Sequence, residues 1–110
     1  MQKKLVKVFL RKLHMKKYRN RMDIAAAILE IAQGSGGVLK TKIMYNAFLS
    51  FPQLKEYLAL LTENQLLEYA SQNKNRYRTT EKGKRFLNSY REMQRMLYPA
   101  GEKTARDAEA

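Results

Sequence analysis

The stretch Ser50-Phe51-Pro52-Gln53-Leu54-Lys55-Glu56-Tyr57-Leu58-Ala59-Leu60-Leu61 constrains the fold more than any other part of this chain. Ser50 and Gln53 have the S-x-x-Q spacing of a capping box, in which each side chain satisfies a backbone N–H at the other's position. Pro52 falls in the first helical turn, where a missing N–H costs nothing. Leu54, Tyr57, Leu58 and Leu61 then recur at i, i+3, i+4 and i+7, an apolar stripe at helical period. Gln53, Glu56, Leu60 and Glu63 point the other way, with Lys55 and Ala59 at the opposite edge. A helix that starts sharply near residue 51 therefore leans one face on a core and presents a mostly polar face outward.

The flanking segments give this helix its setting. Ile24, Ala27, Ile28, Ile31 and Ala32 make the apolar face of a first helix over about 21–33, with Asn20 or Asp23 as cap and Gly34 at the left-handed position that closes it. Gly34-Ser35-Gly36-Gly37 reads as a turn; it follows a helix and no Gly-Lys-Ser/Thr comes after it, so it is not a phosphate loop. Val38-Leu39 reads as a very short strand, and Thr41 is the expected cap of a second helix that runs to about Phe48 and buries Ile43, Met44 and Ala47. A short helix, a tight turn and a sharply capped helix, closed by a preceding helix, make a helix-turn-helix. Leu66 to Tyr69 and Arg76 to Thr79 have strand character around the turn cluster 71–75, which predicts a β-hairpin. A last helix is expected from Thr80-Glu81 to about Tyr98, stopped by Pro99, with a disordered tail over 99–110.

Charge is distributed unevenly. Residues 1–22 hold nine Lys/Arg and no acid, residues 23–70 are slightly acidic, and residues 71–98 hold eight Lys/Arg against two acids, within a total of +12. A near-neutral middle between two basic blocks points to a polyanion, because phosphates reward Lys/Arg through counterion release. Leu5, Val6, Phe9, Leu10 and Leu13 lie on one face of a basic amphipathic segment, so residues 1–15 read as an N-terminal extension, docked or mobile. The chain has no cysteine and a single histidine, which excludes a disulfide framework and a thiolate metal site. It shows no Ser/His/Asp set, no metal-ligand cluster and no paired carboxylates on one face, so an enzyme is not expected, nor a cofactor, a small-molecule ligand or a membrane partner. The expected setting is cytoplasmic and nucleoid-associated.

The order helix, short strand, helix, helix, strand, wing, strand, helix is that of a mainly α, winged helix-turn-helix fold with a small β-hairpin. Thr41-Lys42-Ile43-Met44-Tyr45-Asn46-Ala47, Leu54-Lys55-Glu56-Tyr57-Leu58 and Tyr77-Arg78-Thr79-Thr80-Glu81-Lys82-Gly83-Lys84-Arg85-Phe86-Leu87 resemble the archaeal winged-helix proteins annotated in general as predicted transcriptional regulators, a group that includes the small Sulfolobus-type chromatin proteins. The resemblance covers about residues 16–98, and Thr-Glu-Lys-Gly is its most distinctive part. It implies double-stranded DNA binding by a homodimer whose last helix pairs antiparallel with its partner's. Asn64-Gln65 stands where members often have Asn-Gly, so the third helix is expected to exit through Asn64 in a left-handed or alternative cap. The last helix is also shorter than the long coiled coil of the chromatin members.

In such a fold, with domain limits expected at 16–79 and a dimerisation helix at 80–98, the third helix enters the major groove while wing and arm touch the backbone or minor groove. Ser50, Gln53, Lys55 and Glu56 are then the candidate base readers: Gln bonds adenine bidentately, Lys donates to guanine, and Glu accepts from cytosine. Thr41, Lys42 and Tyr45 can hold phosphates from the second helix. Lys74, Asn75, Arg76 and Arg78 form the basic wing, and Lys16, Lys17, Arg19 and Arg21 the arm. Phe86, Tyr90, Met93 and Leu97 repeat at spacings of 4, 3 and 4, the seam of a coiled coil, with Met96 beside it, so these five are the candidate dimer interface. The leading function is a dimeric transcriptional regulator. The alternatives are a sequence-tolerant nucleoid protein, a protein-interaction adaptor, and an RNA binder for which only Tyr69 and Tyr77 offer stacking rings.

Overall fold

The computed structural model describes residues 19–70 and 75–98. Four helices and a small antiparallel sheet follow in the order α1 (Arg21–Ile31), β1 (Val38–Leu39), α2 (Lys40–Asn46), α3 (Phe51–Glu63), β2 (Leu67–Tyr69), β3 (Arg76–Thr79) and α4 (Glu81–Leu97). The sheet order is β1-β3-β2, with Val38 opposite Tyr77 and Tyr69 also opposite Tyr77 across the other edge. This is a winged helix, mainly α with a β-hairpin, as the sequence predicts. Lys16, Lys17, Lys74, the 1–15 extension and the 99–110 tail lie outside the described residues.

Helix α1 starts on a reciprocal capping box: Asn20 Oδ1 accepts from the Asp23 N–H (2.8 Å), and Asp23 Oδ2 accepts from the Asn20 N–H (3.2 Å). Its residues from Asp23 through Leu29 are all buried, more than one stripe, because α1 is packed by the other elements on several sides. The main core gathers Ile28, Leu29, Ile43, Leu54, Leu61 and Leu67, all essentially without solvent contact. Ala26, Leu87 and Tyr90 form a second small cluster where α4 crosses α1.

The two turns that aim α3 are built alike. At the end of α2, Phe48 takes a left-handed φ of 57°, its N–H donates to the Tyr45 carbonyl and the Leu49 N–H to the Met44 carbonyl. At the end of α3, Gln65 takes φ 63°, its N–H donates to Thr62 and the Leu66 N–H to Leu61. Both are Schellman closures, which return orphan carbonyls to backbone donors and bring the apolar residue after the turn back onto the helix. Of the two exits expected for Asn64 the alternative cap is the one formed: Asn64 has φ −94° and bonds the Leu60 carbonyl through its amide, and the left-handed position falls on Gln65.

Thr41 is not the cap of α2. The helix begins two residues earlier, at Lys40 directly out of β1, and the Lys40 N–H is satisfied by the Asn75 carbonyl at the base of the wing (2.9 Å). Sheet pairing has replaced a side-chain cap there. Helix α4 starts as expected, with Thr80 Oγ1 accepting from the Gly83 N–H (2.9 Å). Among the described residues no helix is long and apolar enough to cross a membrane.

Candidate nucleic-acid interface

The exposed side of α3 follows from its apolar stripe. With Leu54, Tyr57, Leu58 and Leu61 buried, Phe51, Pro52, Gln53, Lys55, Glu56 and Ala59 face solvent. The capping box expected between Ser50 and Gln53 is formed: the Gln53 N–H donates to Ser50 Oγ (3.3 Å), and Gln53 Oε1 accepts from the Ser50 N–H (3.0 Å). Ser50 Oγ–H also donates to Gln53 Oε1 (3.2 Å). The acceptor half of the Gln53 amide is thus occupied by the helix start, and a bidentate bond to adenine would require the cap to open.

Glu56 and two of the arm arginines hold the domain together. Arg21 Nη1 pairs with Glu56 Oε2 at 3.1 Å, and the same guanidinium lies 5.0 Å over the Tyr57 ring, tying the start of α1 to α3. Arg19 donates to the carbonyls of Ala47 (2.9 Å) and Phe48 (3.2 Å), the first two residues of the turn between α2 and α3. A cation at a helix C-terminus meets the negative end of its dipole. So Arg19 and Arg21, expected as groove contacts, brace the helix-turn-helix; the guanidiniums still keep other N–H donors.

The wing follows the same pattern. Arg78 pairs with Glu68 directly opposite it on β2 (2.9 Å) and donates to the Ser35 carbonyl (3.1 Å). Arg76 donates to the Gly37 carbonyl (3.3 Å). Both wing arginines therefore strap the glycine turn ahead of β1 to the hairpin. Arg78 is half-buried there, whereas Arg76 and Asn75 remain exposed. Tyr77 is buried, which leaves Tyr69 as the one solvent-facing ring of the sheet pair that an RNA surface would need.

Thr41, Lys42 and Tyr45 are exposed together on α2, and Lys55 is exposed on α3. The ammonium of Lys55 lies 5.7 Å over the ring of Phe51. Phe51 falls outside the set of contact residues the sequence singles out, yet it is 55% exposed. Its signal was its place: a large aromatic at the first helical position, off the apolar stripe.

On α4, the expected seam divides. Tyr90 is buried inside the protomer, where its hydroxyl donates to Asp23 Oδ1 and accepts from the Gln94 amide (3.1 Å), and Phe86 is partly buried against the main core. Within one protomer Tyr90 is thus covered by α1, and Phe86 keeps part of its surface in solvent. Met93, Met96 and Leu97 stay 49%, 74% and 68% exposed.

Comparison with known proteins agrees with this architecture. The chain is similar to Sso10a-2, a DNA-binding protein from Sulfolobus solfataricus, at 26% identity and a TM-score of 0.58, over 80% of this chain and 95% of that one. It shares its fold with the multiple antibiotic-resistance repressor MarR from Listeria monocytogenes (8% identity, TM-score 0.53, 97% of this chain and 78% of that one). A mutant of MepR from S. aureus is alike in the same way (17% identity, TM-score 0.53, 98% and 86%). None of the curated proteins matches the sequence. The sequence profile described as winged helix-turn-helix matches residues 18–98, and the chain belongs to that family.

Proposed function

We propose that the protein is a homodimeric, double-stranded DNA-binding transcriptional regulator, with α3 in the major groove and α2, the wing and the N-terminal arm on the phosphates. The observation that carries this is the rigid presentation of α3. Its entry is fixed by a capping box and the Arg19 brace, its exit by a Schellman turn, and its outward face is left uncovered. Similarity to a DNA-binding protein over nearly all of that protein's length supports the partner. The exposed Met93, Met96 and Leu97 at the end of α4 support a second copy, since a helix that outruns its domain otherwise leaves its apolar side in water.

A regulator is favoured over a general DNA coater because α3 offers one lysine and a carboxylate already paired, so it adds little sequence-independent attraction. The coater reading draws on the two basic blocks, whose phosphate contacts each add about 0.9 to the salt slope. Binding of the purified chain to its own promoter and to unrelated DNA of equal length, across a salt series, separates them. A promoter preference of about 10³ or more is expected for the regulator. Equal binding with one steep slope assigns the coater, and no binding to either duplex overturns both.

A further inference from the structure

Resting on the DNA-binding reading, we infer that Phe51 is the principal base reader of α3 and that it recognises the C5-methyl group of thymine. The acceptor groups that would normally read bases from the first turns of this helix are already engaged. Gln53 Oε1 accepts from Ser50, Ser50 Oγ accepts from the Gln53 N–H, and the Glu56 carboxylate is paired with Arg21. Besides the N–H donors of Gln53 and Lys55, what the helix start still offers is apolar: the exposed Phe51 ring, with Pro52 beside it and Ala59 two turns on. The only apolar feature on a base edge in the major groove is the thymine methyl, and Phe and Ala are side chains that contact it.

The geometry around the ring fits this use. Lys55 holds its ammonium 5.7 Å from the Phe51 centroid, so the methyl-binding surface and a cation that can donate to a guanine or a phosphate travel as one unit. Phe51 is also the first residue after the Ser50 cap, in a turn pinned by Pro52 and the capping box. Its backbone needs no ordering on binding. Removing Gln53 as reader and placing Phe51 in that role predicts recognition of thymine-containing steps by shape and methyl contact, and sensitivity to any C5-methyl in the groove, including 5-methylcytosine.

The full chain is titrated by fluorescence anisotropy, at fixed salt, with an alternating A·T duplex and with the same duplex carrying deoxyuridine for thymine. A G·C duplex with and without 5-methylcytosine completes the set. The expected result is about fourfold tighter binding per methyl group covered, as burial of one methyl predicts, for thymine over uracil and for 5-methylcytosine over cytosine. Phe51→Ala should bind each methylated and unmethylated pair alike, and Phe51→Leu should keep part of the preference. Circular dichroism and the melting temperature report that the variants are folded. Binding that ignores the methyl overturns the inference and leaves DNA binding standing. A Phe51→Ala protein that keeps the full preference overturns it too, because the methyl is then read through duplex shape. Absence of binding to all four duplexes and to the promoter fragment overturns the DNA-binding reading itself, and the inference with it.

Discussion

Tyr77 stands at the centre of the sheet with its ring 5.0 Å from that of Tyr69, and burial, followed by the hydrogen bond and charge of Tyr69, pushes its phenol up from 10.0 to about 12. Tyr90 is raised as well, by burial and then by the Asp23 carboxylate that its hydroxyl bonds. In both cases the folded state prefers the neutral phenol. The stabilisation is therefore fully present below the unfolded value and is lost as pH rises through the folded one. The melting temperature should hold steady up to about pH 10 and fall between there and about pH 12, and Tyr77→Phe should flatten part of that fall in a calorimetric pH series. Neither shift is readable from the sequence. Tyr69 and Tyr77 stand out as candidate stacking rings and, as cross-strand partners, share one face of the sheet; Tyr77 is covered on the central strand and Tyr69 exposed on the edge strand, a difference set by the strand order and not by local sequence.

At the scale of elements, the segment from Thr79 to Gly83 shows why its residues belong together. Thr79 Oγ1 donates to the Leu29 carbonyl (2.7 Å) and its N–H to the Ala32 carbonyl (3.0 Å), closing the C-terminus of α1. Thr80 caps α4 while its hydroxyl donates to the Gln65 carbonyl (2.7 Å), and Lys82 Nζ reaches the Asn64 carbonyl (2.9 Å). Gly83 lets the first turn of α4 press onto the Leu66 carbonyl: a Cβ there would overlap that oxygen and stand 2.7 Å from Thr79 Cγ2. One short segment therefore joins the ends of α1, α3 and β3 to the start of α4. Gly83→Ala should destabilise the fold by about 1–3 kcal/mol, the usual cost of overpacking, read as a lowered denaturation midpoint at unchanged slope. The starts of α1, α3 and α4 and the Thr80 cap are legible in the sequence because caps and 3.6-residue periodicity are local. The Thr79 bond to Leu29, 50 residues away, is not.

For the whole molecule, α4 has two halves with different duties. Its first half is held on α1 by Leu87 and Ala26, by the Tyr90–Asp23 hydrogen bond and by the Arg91–Glu30 ion pair. Its second half exposes Met93, Met96 and Leu97. The dimer proposal therefore draws on the last turns alone, a shorter seam than Phe86 to Leu97. Met96→Glu combined with Leu97→Glu should shift the protein from dimer to monomer in sedimentation equilibrium while leaving the fold intact. DNA affinity should drop by more than tenfold, since two linked half-sites bind with a high effective concentration. A double variant that stays dimeric would move the interface elsewhere on the molecule.

The order of elements, the capped start of α3, the hairpin and the winged helix-turn-helix class are all readable along the chain. Each of these is written in residues close together along the chain, where cap spacing, helical period and turn chemistry act. What the charged and apolar side chains do emerges once the elements pack together. Arg19, Arg21 and Arg78 look like free cations in the sequence and become braces once Phe48, Glu56 and Glu68 arrive beside them. Asp23 looks like a simple cap and is buried under Tyr90. Phe51, which the sequence leaves off the apolar stripe without a role, faces solvent. The physical reason is range: a helix start is settled within a turn, whereas an ion pair or an exposed ring depends on which distant surface the fold brings to it.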